Sequence, residues 1–180
     1  MKPKLSLGVC ILISLALVFF GLCYGTLKGF TDERSQVDAF LHGESGLTNM
    51  LYYRGSDGLN LCVVANRHLT ADADVAALET AAKALRNEKS SLTEKKQADD
   101  RLRAATGQVA KKLLVEPDFL LSARDKAYLD MLQADMEQLS QSGMISGYNE
   151  AAQDFNRQLA APFSGSIAKL LGVKPCDLYQ

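Results

Sequence analysis

The chain has 180 residues and a formal net charge of −1, from 20 Lys plus Arg against 21 Asp plus Glu. Near-neutral charge without cationic clusters leaves no electrostatic footprint for phosphate backbones, so nucleic acid is not an expected partner. Hydrophobic residues make up 47% and tryptophan is absent; beyond the first 25 positions, about 155 residues remain, enough for one domain with its own core.

Residues 5–23 read LSLGVCILISLALVFFGLC, uncharged, after Met1-Lys2-Pro3-Lys4. About 20 apolar residues cover a hydrocarbon core of roughly 30 Å, and a helix is the one single segment that satisfies its own backbone there. Residues 1–25 are therefore expected to be an uncleaved membrane anchor, with Leu5, Leu12, Leu17, Phe19 and Phe20 among its apolar residues. Two alternatives stand beside it. A cleaved leader would use Cys23-Tyr24-Gly25 as a poor small-x-small site, with an apolar stretch longer than the usual ~7–15 residues. A lipoprotein would use Cys23, with Leu22 where a small residue is expected. Cys10 reads as a small hydrophobe within the run. Lys2, Lys4 and the amino terminus precede the run, and Lys28 and Arg34 follow beside Asp32 and Glu33; this cation bias favours a cytoplasmic N-terminus and an extracytoplasmic domain.

Downstream the periodicity is helical. Leu27, Phe30, Val37, Phe40 or Leu41, Leu47 and Leu51 form a stripe continuous with the anchor, with no proline or linker between them and with Gly43 and Gly46 weakening it. Gly55-Ser56-Asp57-Gly58 is the strongest turn signal of the first half. Residues 59–65 then read as a short helix, or a resumption of the first, with a strand as the lesser alternative. Residues 70–74 start a helix that buries Val75, Leu78, Ala82 and Leu85, with Asp72 and Asp74 favouring its N-terminal dipole.

Ser91-Leu92-Thr93-Glu94 has the spacing of a capping box, opening a helix that buries Leu102, Ala105, Val109, Leu113 and Leu114. Residues 88–103 are dense in charge and read as a solvated face. Pro117 ends that helix and residues 122–125 cap the next, whose stripe is Tyr128, Leu129, Leu132, Met136 and Leu139. Gly143 and Gly147 mark a bend. Tyr148, Ala152, Phe155 and Leu159 resume the apolar face until Pro162. Residues 166–171 form a short amphipathic turn closed by Gly172 and Pro175. Four substantial helices plus a tail describe an antiparallel four-helix-type bundle.

Chemistry-bearing motifs are sparse. His42 and His68 stand alone, with no H-E-x-x-H, P-loop, G-x-G-x-x-G or G-x-S-x-G pattern. The acidic pairs Asp99-Asp100 and Glu116/Asp118 point apart, and Glu-x-x-His is absent from the helices. The expectation is a non-enzymatic chain with no cofactor and no metal. Cys62 and Cys176 read as independent thiols, with pairing open in an oxidising compartment. Tyr148-Asn149 and Phe155-Asn156 repeat an aromatic-Asn pair seven residues apart, placing both aromatics on one face and both amides on the neighbouring stripe. The amides are expected to bond an adjacent helix end, the alternative being a polar ladder that faces a partner.

At these residues the chain resembles the LemA family of bacterial membrane proteins. The resemblance runs through Tyr148-Asn149-Glu150-Ala151-Ala152-Gln153-Asp154-Phe155-Asn156, then Pro162-Phe163, then Gly172-Val173-Lys174-Pro175 and Tyr179. Upstream, Glu116-Pro117-Asp118-Phe119-Leu120 and Tyr128-Leu129-Asp130-Met131-Leu132 are similar to further family segments. Arg54, Asp57, Asn60 and Leu61 echo an N-terminal family stretch, and Phe40 stands nearest to the family's tryptophan, as in a divergent member. The resemblance implies architecture: an N-terminal membrane helix, then a bundle of long helices. It also implies an N-terminus outside, against the cation bias, which leaves orientation open. The expected organisation is an anchor over 1–25, a bundle over 26–162 and a tail over 163–180 that packs on the bundle or the membrane. The expected function is a non-catalytic interaction or scaffold module of the bacterial inner membrane and envelope, with an envelope protein as partner and homo-oligomers allowed. The alternatives are an extracytoplasmic domain that senses a small ligand, a secreted protein if the leader is cleaved, and a hydrolase built on carboxylates.

Overall fold

The computed structural model describes residues 6–141 and 143–180; residues 1–5, Leu5 among them, and Ser142 lie outside the described residues. Every regular element among the described residues is a helix: α1 (Leu7–His42), α2 (Leu47–Ala65), α3 (Ala73–Arg86), α4 (Leu92–Leu113), α5 (Pro117–Leu121), α6 (Ala123–Gln141), α7 (Met144–Leu159) and α8 (Ser164–Leu170). The chain divides into two compact units. One holds α1 as far as Asp38 together with residues 150–176, and the other holds residues 39–149 and 177–180.

α1 runs unbroken for 36 residues, about 54 Å at 1.5 Å per residue. No linker separates its apolar first half from the polar second half. The stripe does not run on to Leu51, however. The helix stops at His42, and residues 43–46 form a turn before α2. Gly43 and Gly46 sit in that turn, and a Cβ on Gly46 would lie 2.8 Å from the carbonyl oxygen of Leu41. Phe40 is exposed, while Leu47 and Leu51 are buried on α2.

The turn expected at residues 55–58 is absent: α2 passes straight through it. Gly55 and Gly58 serve close helix packing instead. A Cβ on Gly55 would lie 2.9 Å from the Ala82 carbonyl oxygen of α3, and one on Gly58 would lie 2.6 Å from Leu102 Cδ1 of α4. The same two glycines that read locally as a turn let α2 press on α3 and α4 at once. Residues 59–65 are helical, and Leu61, Cys62, Val64 and Ala65 enter the core. In this unit α2 packs on α3, α4 and α6, and α3 packs on α4.

Local chemistry sets the helix ends. Asp72 caps α3 by accepting from the amides of Asp74 and Val75. Ser91 and Glu94 form the reciprocal capping box of α4, which satisfies two donors that would otherwise be orphaned. α4 ends at Leu113, four residues before Pro117, which instead opens the one-turn helix α5. Leu114, expected in the core, follows buried Leu113 at the helix cap and is 55% exposed. Ser122 Oγ accepts from the Asp125 amide at 3.2 Å and starts α6. Tyr128 is exposed, whereas Leu129, Leu132 and Met136 are buried.

In the other unit Phe30 meets Phe155 edge-on, with ring centroids 5.9 Å apart. α8 closes with a Schellman motif: Val173 N donates to Ala168 O and Gly172 N to Lys169 O, both at 3.0 Å, with Gly172 at φ +88°. Glycine is required there because the left-handed conformation costs any other residue. Gly172 thereby redirects the chain into its extended end.

Candidate functional site

The charge-dense stretch of α4 is not a solvated face throughout. Lys95 and Asp99 are buried on the stripe that carries Ala98 and Leu102. Lys95 Nζ donates to the carbonyls of Leu85 and Asn87, each at 2.9 Å, and so satisfies the end of α3. Burial lowers its pKa. Asp100, the neighbour of Asp99, points away and pairs with Lys96 on the same helix.

Asp99 faces Arg54 of α2. Arg54 Nη1 donates to Asp99 Oδ2 at 2.8 Å, and Oδ1 lies 2.7 Å from the same nitrogen, close enough to pair but not aligned as a hydrogen bond. Both residues are 2% exposed. The third member comes from the chain end: Tyr179 OH donates to Asp99 Oδ2 at 3.1 Å. Burial, then the Asp99 charge, raises the Tyr179 pKa far above its ordinary value, so the phenol stays protonated and remains a donor.

The aromatic-Asn residues hold that chain end. Within the larger unit, Asn149 grips the backbone of Tyr179 at two points, Nδ2 donating to O at 3.0 Å and Oδ1 accepting from N at 2.8 Å. Tyr148 OH donates to Asp177 O at 2.6 Å. Within the other unit, Asn156 repeats the grip on Cys176, at 2.8 and 2.7 Å. There Arg34 stands over the Phe155 ring and donates to Lys174 O at 3.1 Å. The amides thus serve the extended C-terminal segment, not a helix end. Tyr148 and Phe155 are buried; Pro162, Lys174 and Pro175 are exposed, Lys174 entering through its carbonyl.

His68 is more than an ordinary surface histidine. Its Nε2 lies 2.8 Å from Asp125 Oδ2 and its ring stands edge-on to Phe119, while Arg67 Nη1 lies 2.6 Å from Asp125 Oδ1. These contacts tie the end of α2 to the start of α6. The hydrogen bond to His68, with help from the Arg67 charge, holds the Asp125 carboxyl below the ordinary carboxylate range. Its contribution to stability is complete above the unfolded aspartate value of about 3.9 and is lost as pH falls through the depressed folded value. Asp125→Asn is therefore expected to be less stable at pH 7 yet to lose less stability than the wild type between pH 5 and 2. Urea unfolding followed by circular dichroism at each pH checks this; equal losses in the two proteins would contradict it. His42 is exposed beside Thr48.

None of the four cysteines forms a disulfide. Burial pushes the Cys62 thiol up to about 11, so it stays protonated near neutrality. Among the described residues no group of three His, Cys, Asp or Glu is arranged to hold a metal ion.

Several concavities lie in the larger unit. A cleft of about 310 Å³ between α2, α4 and α6 is lined by residues that include Arg54, Arg103, Thr106, Gln133, Met136 and Glu137. A groove of about 560 Å³ between α3 and α4 is walled chiefly by alanines, Ala77, Ala81, Ala84 and Ala105 among them. Exposed apolar side chains occur on α1 and at the α4–α5 corner, and also at Val63, Met131, Phe163 and Leu170. Leu12, Leu17, Phe19 and Phe20 on α1 are 59–69% exposed. Leu114, Val115, Leu120 and Leu121 are exposed at the α4–α5 corner, Leu121 to 85%.

No protein-family model, curated protein sequence or solved structure matches the chain. α1 is long and apolar enough to cross a membrane, and none of its apolar window is buried.

Proposed function

We propose that the chain is a membrane-anchored helical module that acts through protein contacts, of the LemA type, at a bacterial inner membrane. One observation carries the reading: the apolar half of α1 is exposed on every side. A helix that is apolar all round belongs in hydrocarbon or in a protein core, and none of the described residues buries this one. In this reading the anchor spans the bilayer once. The remaining helices form an antiparallel bundle, and the large domain lies outside the cytoplasm, in keeping with the cation bias. Tethering confines the module to a thin layer and raises its effective concentration toward other membrane proteins.

The contact surface is the α4–α5 corner, where Leu114, Val115, Leu120 and Leu121 expose apolar area that a monomer gains nothing by displaying. Affinity capture from detergent-solubilised membranes tests this, comparing the intact chain, a chain lacking residues 1–25, and Val115→Asp/Leu121→Asp. The expected result is a reproducible partner with the intact chain, much reduced without the anchor and lost with the double substitution. Recovery of no reproducible partner, or recovery unaffected by the two aspartates, would overturn the assignment.

A further inference from the structure

We infer that the cleft between α2, α4 and α6 binds a small zwitterion of the amino-acid class, a molecule bearing one carboxylate and one ammonium group. The volume, about 310 Å³, stands at the small end of the range of ligand pockets, roughly 300–1,000 Å³. The lining sets the charge of the occupant. Arg103 on α4 makes no hydrogen bond or ion pair among the described residues. Glu137 on α6 uses Oε1 to accept from Gln141 at 2.8 Å, which leaves its charge unneutralised. Arg54 is already neutralised by Asp99, but its buried Nε–H has no acceptor among the described residues.

The cleft therefore presents one uncompensated cation, one uncompensated anion and a neutral pair with a spare donor. A purely anionic ligand would leave Glu137 facing a like charge, and a purely cationic one would do the same to Arg103. A zwitterion meets both, its carboxylate toward Arg103 and its ammonium toward Glu137. The Thr106 hydroxyl and the Gln133 amide supply further polar groups, and buried Met136 supplies an apolar wall for a side chain. Bound in this way, the ligand bridges α4 to α6.

The fold supplies its own blocking substitution. A Cβ on Gly107 meets nothing within 4 Å, so Gly107→Leu places its side chain in the open space of the cleft, and leucine is the better helix former. The experiment is isothermal titration of the full chain in detergent micelles with each of the twenty common L-amino acids. The best binder is then compared with its decarboxylated amine and its deaminated acid. Saturable binding of at least one amino acid is expected, at least tenfold weaker for both analogues and for Arg103→Ala, and absent in Gly107→Leu that keeps its helical circular dichroism. Failure of all twenty to bind the folded wild type would overturn the inference. So would analogues that bind as tightly as the parent, or binding that survives in Gly107→Leu.

Discussion

Asp99→Ala is expected to destabilise the folded domain by about 3–5 kcal/mol, the cost of leaving a buried charge without its partner. Arg54 is 2% exposed and Asp99 is its one hydrogen-bonded partner among the described residues. The substitution strands the guanidinium inside the protein and also removes the acceptor of the Tyr179 hydroxyl. The pair itself need not stabilise the fold, because desolvation of both charges offsets most of their attraction. Arg54→Met combined with Asp99→Leu is thus expected to recover most of the loss, and Tyr179→Phe, which removes one hydrogen bond to a charged acceptor, to cost about 1.5–3 kcal/mol. Urea unfolding of the four proteins decides it. A loss below about 1 kcal/mol for Asp99→Ala would mean that the pair behaves as a surface ion pair.

The second large effect belongs to Gly55. Gly55→Leu is expected to cost about 1–3 kcal/mol by overpacking, even though leucine gains up to about 1 kcal/mol over glycine in helix propensity. The obstacle is a backbone carbonyl, Ala82 O at 2.9 Å from the added Cβ, which moves only if α3 moves with it. Gly107→Leu makes the same chemical change where the Cβ meets open space and is expected to leave stability unchanged or raised. Thermal unfolding of the two variants separates close packing from propensity. Were residues 55–58 a surface turn, both leucines would behave alike.

The pair of glycines shows why some of the fold was legible and some was not. Capping is local, so Ser91 with Glu94 and the closure at Gly172 could be read from a few neighbouring residues. Gly55-Ser56-Asp57-Gly58 has the local chemistry of a turn as well as that of a close helix crossing. What distinguishes them is Ala82 and Leu102, which lie far along the chain. Lys95 and Asp99 were hidden by their charged surroundings, though Asp99 precedes Leu102 by three and Lys95 by seven, the spacing of the buried stripe itself. His68 gave no such signal, because Asp125 stands 57 residues away. The aromatic-Asn repeat announced two amides on one stripe, but not the extended chain end they hold, since an irregular segment has no period to read.

Membrane anchoring by α1 is the claim on which the functional reading rests, and flotation tests it most directly. The full chain, the chain lacking residues 1–25 and a Leu12→Arg/Leu17→Arg variant are each reconstituted with phospholipid vesicles, washed with alkaline carbonate and spun through a density gradient. Arginine near a bilayer centre costs several kcal/mol, so the intact chain should float with the vesicles after carbonate, and the other two should remain at the bottom. An intact chain that stays with the soluble fraction, or one recovered from membranes with the residues before Gly25 already removed, would contradict the account.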